Sequence, residues 1–181
     1  MKKDIKIYLL CGKARSGKST SSEIILKYYE DKNIKCIKTY IALYLKFYIQ
    51  KFFGWDGKDE TKPRELLQNL GTDIIRKEMN KNTFFIDRTI EDIEILSKFN
   101  DVFIIDDIRF PLEIQMIKEK FTNVKSIHIK RPEFVSELSE KQLKHATETA
   151  LDNYDEYDYK IINDGSIEDL KEKVLNILGS D

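Results

Sequence analysis

Cysteine, proline, histidine and tryptophan are all scarce: 181 residues hold two, three, two and one of them. Two cysteines cannot build a disulfide framework. None is needed, because a chain of this length buries about 70% of the surface its unfolded form exposes, without a disulfide or metal staple. Cys11 closes the first apolar run and Cys36 lies within the next, so both read as reduced, core-filling thiols of a cytoplasmic protein. An excess charge of either sign is also missing. Lysine and arginine (31) balance aspartate and glutamate (32) to a net −1, which offers nucleic acid no attracting field and leaves any phosphate ligand to a local basic cluster. Long hydrophobic runs are lacking too, which argues against a membrane partner. The opening Met1-Lys2-Lys3 and the apolar run to Cys11 have the outline of a leader peptide, but the run is short and Lys6 interrupts it. No internal repeat, low-complexity tract or linker divides the chain, so residues 1–181 are expected to form one domain.

What is present begins with Gly12-Lys13-Ala14-Arg15-Ser16-Gly17-Lys18-Ser19, which fits the phosphate-loop pattern G-x-x-x-x-G-K-[ST] at every fixed position. Ile5 to Cys11 reads as a strand. Ser19 to Asp31 reads as a helix, with Ser21, Ile24, Ile25, Tyr28 and Tyr29 at three- and four-residue spacings. Strand, glycine loop and helix is the context the motif requires. Inward-pointing backbone N–H groups from Gly12 to Thr20 would cradle a polyphosphate at the positive end of the helix. Lys18 would reach the β- and γ-phosphates, and the Ser19 hydroxyl would hold Mg²⁺.

Asn33 to Thr39 alternates apolar and polar residues and reads as a second strand toward the sheet edge. From Ile41 to Phe53 a helix is expected, with Ile41, Tyr44, Leu45, Tyr48 and Phe52 in one stripe and Lys46 and Gln50 on another face. Gly54-Trp55-Asp56-Gly57 breaks it, and Trp55 is either an aromatic plug at the helix end or a lip over a ligand. Pro63 opens the next helix, whose core stripe is Leu67, Leu70 and Ile74. Gln68, Thr72 and Arg76 share its polar face beside Gly71, which suggests either a close approach by another group or a solvated face with a packing glycine. A helix over 82–98 is preferred to a strand at Thr83-Phe84-Phe85-Ile86.

Asp101 to Asp107 has the pattern of a buried parallel strand that delivers two acids to its C-terminal edge. Such an acid orients Mg²⁺ or its water in phosphate-loop proteins, and either Asp106 or Asp107 could serve. Arg109 at the same edge faces the phosphates or pairs with one of those acids, and Pro111 starts a helix with Ile114, Ile117 and Phe121 inward. Asn123 to Lys130 is a further strand, ending in Lys130-Arg131-Pro132. The charged segment after it carries a capping box at Ser139 and Gln142, flanked by a Leu138–Leu143 staple, which makes it a helical lid with basic residues at its root. His145 reads as a surface or capping residue. Tyr159 to Ile162 is the last strand, followed by a turn at Asn163-Asp164-Gly165 and a helix capped by Ser166 with Leu170, Val174 and Ile177 inward.

Several stretches in this order resemble the bacteriophage-type deoxynucleoside monophosphate kinases of the P-loop kinase group. They are the loop from Gly12 to Lys18, Leu66 to Asp73 with Arg76, Asp107-Ile108-Arg109-Phe110-Pro111 with Glu113, His145-Ala146-Thr147-Glu148, and Asn163-Asp164-Gly165. The resemblance implies an α/β three-layer sandwich with a five-stranded parallel sheet, an acceptor-binding insert over about 41–99 and a lid over about 131–148. It also implies ATP with Mg²⁺ on the loop, bound by Gly12 to Thr20 with Asn163 and Asp164, and a nucleoside monophosphate held by Lys46, Gln68, Gly71, Thr72, Arg76 and Arg109. Lys18, Arg131 and Asp107 would be catalytic, and Ser19 with Asp107 would serve the metal. Arg15 would join Arg131 on the transferring group. The family tends to carry Ala-Asp-Pro-Leu-Lys where this chain has Ala42-Leu43-Tyr44-Leu45-Lys46, so the lysine is kept, the acid is lost, and Leu43 is expected to favour a deoxyribose or a methylated base. A homodimer is left open. Rival readings are a P-loop kinase of another small acceptor, such as dephospho-coenzyme A or phosphomevalonate, and a slowly hydrolysing nucleotide switch. Three arginines (76, 109 and 131) that suit a second phosphate site speak against the switch.

Overall fold

Residues 5–132 and 139–180 are described by the computed structural model. Five parallel strands, β1 (Lys6–Cys11), β2 (Cys36–Thr39), β3 (Val102–Ile108), β4 (Val124–Lys130) and β5 (Tyr159–Ile162), form one sheet in the order β2-β3-β1-β4-β5. The chain runs from β1 to one side and later returns to the other, so the sheet switches direction at β1. A crevice therefore opens beyond the carboxyl end of β1, where the glycine loop lies. β2 is an edge strand, as its alternating pattern predicts.

Alternation along the inner strands divides the core in two. Ile7, Leu9, Phe103 and Ile105 face one layer, and Tyr8, Leu10, Ile104 and Ile129 the other. On the second side lie α1 (Lys18–Glu30) and α8 (Ile167–Gly179), which pack together. The first side carries α2 (Leu43–Phe53), α3 (Arg64–Gln68) with its continuation, α4 (Phe84–Leu96) and α5 (Pro111–Lys120). Two short helices, α6 (Glu140–Leu143) and α7 (Ala146–Thr149), build the segment over the carboxyl edge. The capping box expected at Ser139 and the cap expected at Ser166 are present: Ser139 accepts from the Gln142 amide, and Ser166 from the Asp169 amide. The expected Leu138–Leu143 staple has one member outside the described residues. No helix among the described residues is long and apolar enough to cross a membrane.

Two local irregularities aim residues at the crevice. In the pairing of β1 with β3, Leu9 meets Ile105 but Cys11 meets Ile108, so β3 carries one extra residue across Asp106 and Asp107. After α3 the helix widens into a π-helix over Asn69–Glu78, closed by the Met79 amide on the Ile74 carbonyl. The wider turn moves the buried stripe. Gly71, Thr72 and Ile75 are buried, and Ile74, expected in the core from a 3.6-residue period, is only half-buried. Gly71 allows the Leu45 side chain to close in, since a Cβ there would stand 2.6 Å from Leu45 Cδ2. On α2 the inward residues are Leu45 and Ile49, while Phe52, expected inward, is 71% exposed. The packing of the π-helical segment gives a direct test of its register. Ile75→Ala should cost about 2–5 kcal/mol in urea unfolding and Ile74→Ala clearly less. The reverse order would restore the α-helical register.

Candidate active site

The glycine loop is shaped by backbone that other residues cannot adopt. Gly12 (φ 140°) and Gly17 (φ 111°) hold positive dihedrals, and a Cβ on Gly12 would fall 2.3 Å from the Ile129 carbonyl oxygen. From the opposite side Asn163 Nδ2 donates to the Ser16 carbonyl at 2.9 Å, which fastens the loop to the end of β5. Lys18 folds along the loop and donates to the Gly12 and Lys13 carbonyls at 2.8 and 2.6 Å. Burial, then the nearby Arg109 charge, lowers its pKa to about 8 from the ordinary lysine value.

The extra residue in β3 sends its two acids to different neighbours. Asp106, buried, accepts from Ser22 Oγ at 3.2 Å and pairs with Lys38 at 2.9 Å, on the loop side. Lys38 stays charged: burial works against its ammonium, but the Asp106 carboxylate outweighs this and raises its pKa. Asp107 accepts from the Ile41 and Ala42 amides at 2.8 and 3.1 Å and thereby starts α2. Asp107, expected to serve the metal, lines both cavities while its two oxygens accept from backbone donors of a helix start, and Asp106 is the acid beside Ser22 and Lys18.

Two cavities meet at this edge. The larger cleft follows Ala14 to Thr20, Lys38, Asp106, Arg131 and Asn163. A smaller pocket is walled by Ile41, Leu45, Leu67, Phe85 and Phe110, with Gln68, Thr72, Arg76 and Glu113 among its polar groups. Lys46, Lys62, Arg64, Asp107 and Arg109 line both cavities, so the shared wall carries four cations. Arg76 enters the small pocket from the π-helical segment. Its guanidinium pairs with Glu113 at 2.7 Å and lies 4.2 Å from the centroid of the Phe110 ring. Glu113 also accepts from the Arg109 and Phe110 amides, and complete burial pushes its pKa up against the pull of Arg76.

The segment from Ser139 to Asp152 lies against the smaller pocket and the glycine loop. Gln68 Nε2 donates to Thr147 Oγ1 at 3.4 Å, His145 Nε2 stands 3.7 Å from Asp73, and Lys13 pairs with Asp152 at 2.9 Å. His145 caps α7 by accepting the Thr147 amide, the role its position suggests. Arg109 makes no pair with Asp106 or Asp107. It pairs instead with Glu148 at 2.7 Å.

Most of the expected residues converge: Ala14, Arg15, Gly17, Lys18, Ser19, Thr20, Arg131 and Asn163 on the cleft, and Lys46, Gln68, Gly71, Thr72, Arg76 and Arg109 on the pocket. Gly12 and Ser16 line a neighbouring cavity instead, and besides Asp107 three more depart from expectation. Asp164 turns away to pair with Lys173 at 2.9 Å, Lys13 reaches the lid, and Leu43 is 40% exposed on the outer side of α2, leaving Leu45 to face the pocket. Trp55 is both things proposed for it, packed on the core and lining the cleft. Lys38, Lys62 and Arg64 were not singled out from sequence, because nothing local separates them from other surface cations. Glu113 and Glu148 stood only in motifs without a role.

A divalent ion fits here. Among the described residues no three His, Cys, Asp or Glu side chains cluster tightly enough to hold a metal alone. Mg²⁺ needs few, since it keeps its waters and takes one or two carboxylates plus the phosphates of a substrate. The exposed Ser19 hydroxyl and Asp106 supply that donor set.

The sequence pattern of the deoxynucleotide monophosphate kinase family matches residues 40–174. No significant match is found among curated proteins. Among solved structures, the APS kinase CysC of Mycobacterium tuberculosis in complex with AMPPNP and APS superposes with a TM-score of 0.56 at 11% identity, over 98% of this chain and 99% of its own. A sugar kinase from Janibacter sp. gives 0.56 at 13% identity (97% and 95% covered), and shikimate kinase from Aquifex aeolicus 0.50 at 16% (96% and 96%). At these identities the likeness is one of fold, and it is that of the P-loop kinases.

The lowered pKa of Lys18 has a kinetic consequence. Its ammonium is the form that attracts phosphate, so kcat/KM for ATP, which reports the free enzyme, should fall as pH rises through about 8. The limb in kcat should lie higher, because bound phosphates stabilise the charge. A kcat/KM for ATP that stays flat to pH 9.5 would contradict the lowered value.

Proposed function

The chain belongs to the deoxynucleotide monophosphate kinase family, and on that premise we propose that it transfers the γ-phosphoryl group of ATP to a deoxynucleoside 5′-monophosphate. It is a phosphotransferase of the nucleotide kinase kind. The observation that carries the finer reading is the wall of cations shared by the two cavities, with Arg76 held rigidly behind it. Two polyanions repel until positive charge lies between them, and a neutral alcohol acceptor would not need a second cationic pocket.

The residues divide by cavity. Loop amides and Lys18 hold the donor phosphates, and Ser19 with Asp106 would hold Mg²⁺, which would supply neutralising charge there. Arg76 and Arg109 offer planar guanidinium groups for the acceptor phosphate, with Lys46 between the two substrates. Gln68 and Thr72 present hydrogen-bonding groups to the nucleoside, while Phe85 and Phe110 supply an apolar bed. The acceptor oxygen is already ionised, so no general base is required. Arg131 at the lid root, with Arg15, meets the charge that develops on the phosphoryl group in flight. The apolar lining supports a deoxyribose over a ribose, because an added hydroxyl without a partner costs about 1–3 kcal/mol when buried.

A panel of acceptors with ATP and Mg²⁺ tests the assignment. A deoxynucleotide such as dTMP or dGMP should outperform its ribonucleotide counterpart at equal concentration. Turnover confined to dephospho-coenzyme A, phosphomevalonate or a ribonucleotide would remove the deoxynucleotide part. With the accepted nucleotide in hand, Arg131→Ala should lower kcat by about 10³ with little change in KM for the monophosphate. A change in KM alone would move Arg131 to the acceptor-binding set.

A further inference from the structure

Glu148 lies where its charge is least expected. Its carboxylate, only 8% exposed, pairs with Arg109 through Oε1 at 2.7 Å, and Oε2 accepts the backbone N–H of Ala14, in the glycine loop, at 3.4 Å. It also acts on Lys18, whose ammonium it favours. These three donors are a loop amide, the arginine of the shared wall and the loop lysine. They are the groups a transferring phosphoryl would need. A carboxylate that holds two of them directly, and lies near the third, has the charge and hydrogen-bonding pattern of two phosphate oxygens.

The position of Glu148 in the chain makes this contact removable. It sits in α7, a four-residue helix on the lid, beside Thr147, whose hydroxyl takes the Gln68 amide and whose carbonyl takes Arg109. When the lid shifts, the carboxylate leaves the loop and releases Arg109 together. It repels a donor phosphate placed beside it, and it loses its hold when an acceptor phosphate competes for Arg109.

We infer that Glu148 is a phosphate surrogate that decides between acceptor and water: it occupies the transfer position until the acceptor phosphate draws Arg109 away, so that ATP alone does not complete the site. The inference rests on the kinase reading above, but it concerns only this side chain and the donor phosphates. In the absence of acceptor, the reaction held back is attack of water on the γ-phosphorus, with cleavage of the β–γ bridge to give ADP and inorganic phosphate.

Glu148→Gln keeps the size and removes the charge, and circular dichroism checks that the variant folds. Without any acceptor, AMPPNP with Mg²⁺ should bind at least fivefold more tightly to the variant than to wild type by calorimetry, and ATP hydrolysis should rise about tenfold. Unchanged or weaker AMPPNP binding, or unchanged hydrolysis, overturns the inference. Weaker binding would make Glu148 a ligand contact instead. If the variant does not fold, the wild-type protein decides: AMPPNP alone should leave hydrogen exchange at the Glu148 amide of α7 no faster than in the free protein, and faster exchange overturns it. None of these readouts uses an acceptor. A chain that phosphorylates no deoxynucleotide yet shows the tightening loses only its assigned substrate, and one that phosphorylates dTMP or dGMP without the tightening loses only the surrogate.

Discussion

The carboxyl edge of the sheet must keep several cations close together, and three of them are held in place by anions of the protein. Asp106 holds Lys38, Glu113 holds Arg76, and Glu148 holds Arg109. Lysines and arginines brought this near to one another would otherwise repel, and burial would add a desolvation cost. The pairs differ in permanence. Asp106 and Glu113 sit on β3 and in the first turn of α5, elements fixed by the two cores, whereas Glu148 sits on a short lid helix. Charge that must stay is thus anchored to the sheet layer, and charge that must move is carried by the lid.

Glu113 shows how one buried side chain coordinates several elements. It completes the first turn of α5 by accepting the Phe110 amide, holds the Arg109 amide at the end of β3, and pairs with Arg76 from the π-helical segment. A carboxylate so buried is costly unless hydrogen-bonded, and here a guanidinium and two backbone donors supply partners to both oxygens. Two of the three arginines that line the pocket, Arg76 and Arg109, are therefore positioned by the same group, one through its side chain and the other through its backbone.

Much of this was legible in the sequence because the signals are local. The glycine loop, the Pro111 helix start, the capping box at Ser139 and the cap at Ser166 each depend on a few adjacent residues, and each stands where it was expected. The apolar run before Asp106 announced a buried strand for the same reason. What could not be read depends on distant partners. Nothing near Ile74 and Ile75 reports that the helix widens, and the contact of Gly71 with Leu45 joins residues 26 positions apart. Phe52 was placed inward by counting from Tyr44 and Tyr48, and the core chose Ile49. Asp107 and Asp106 are adjacent and alike, and only the pairing of β3 with β1 separates them. The partner of Arg109 lies 39 residues away in the lid, beyond any spacing rule.

The extra residue of β3 has a consequence for what the chain can tolerate. A strand with strict alternation would place Asp106 and Asp107 on opposite faces with no freedom in where each carboxylate lands, and every later residue would follow in step. The added residue lets Asp106 serve the loop layer and Asp107 the start of α2, while Ile108 still returns to the core opposite Cys11. Donor and acceptor halves of the site are thereby indexed to each other by one residue of backbone. Side-chain substitutions in β3 alter a contact, but a deletion of that one residue would put the two halves out of phase, so length is under stricter constraint here than composition.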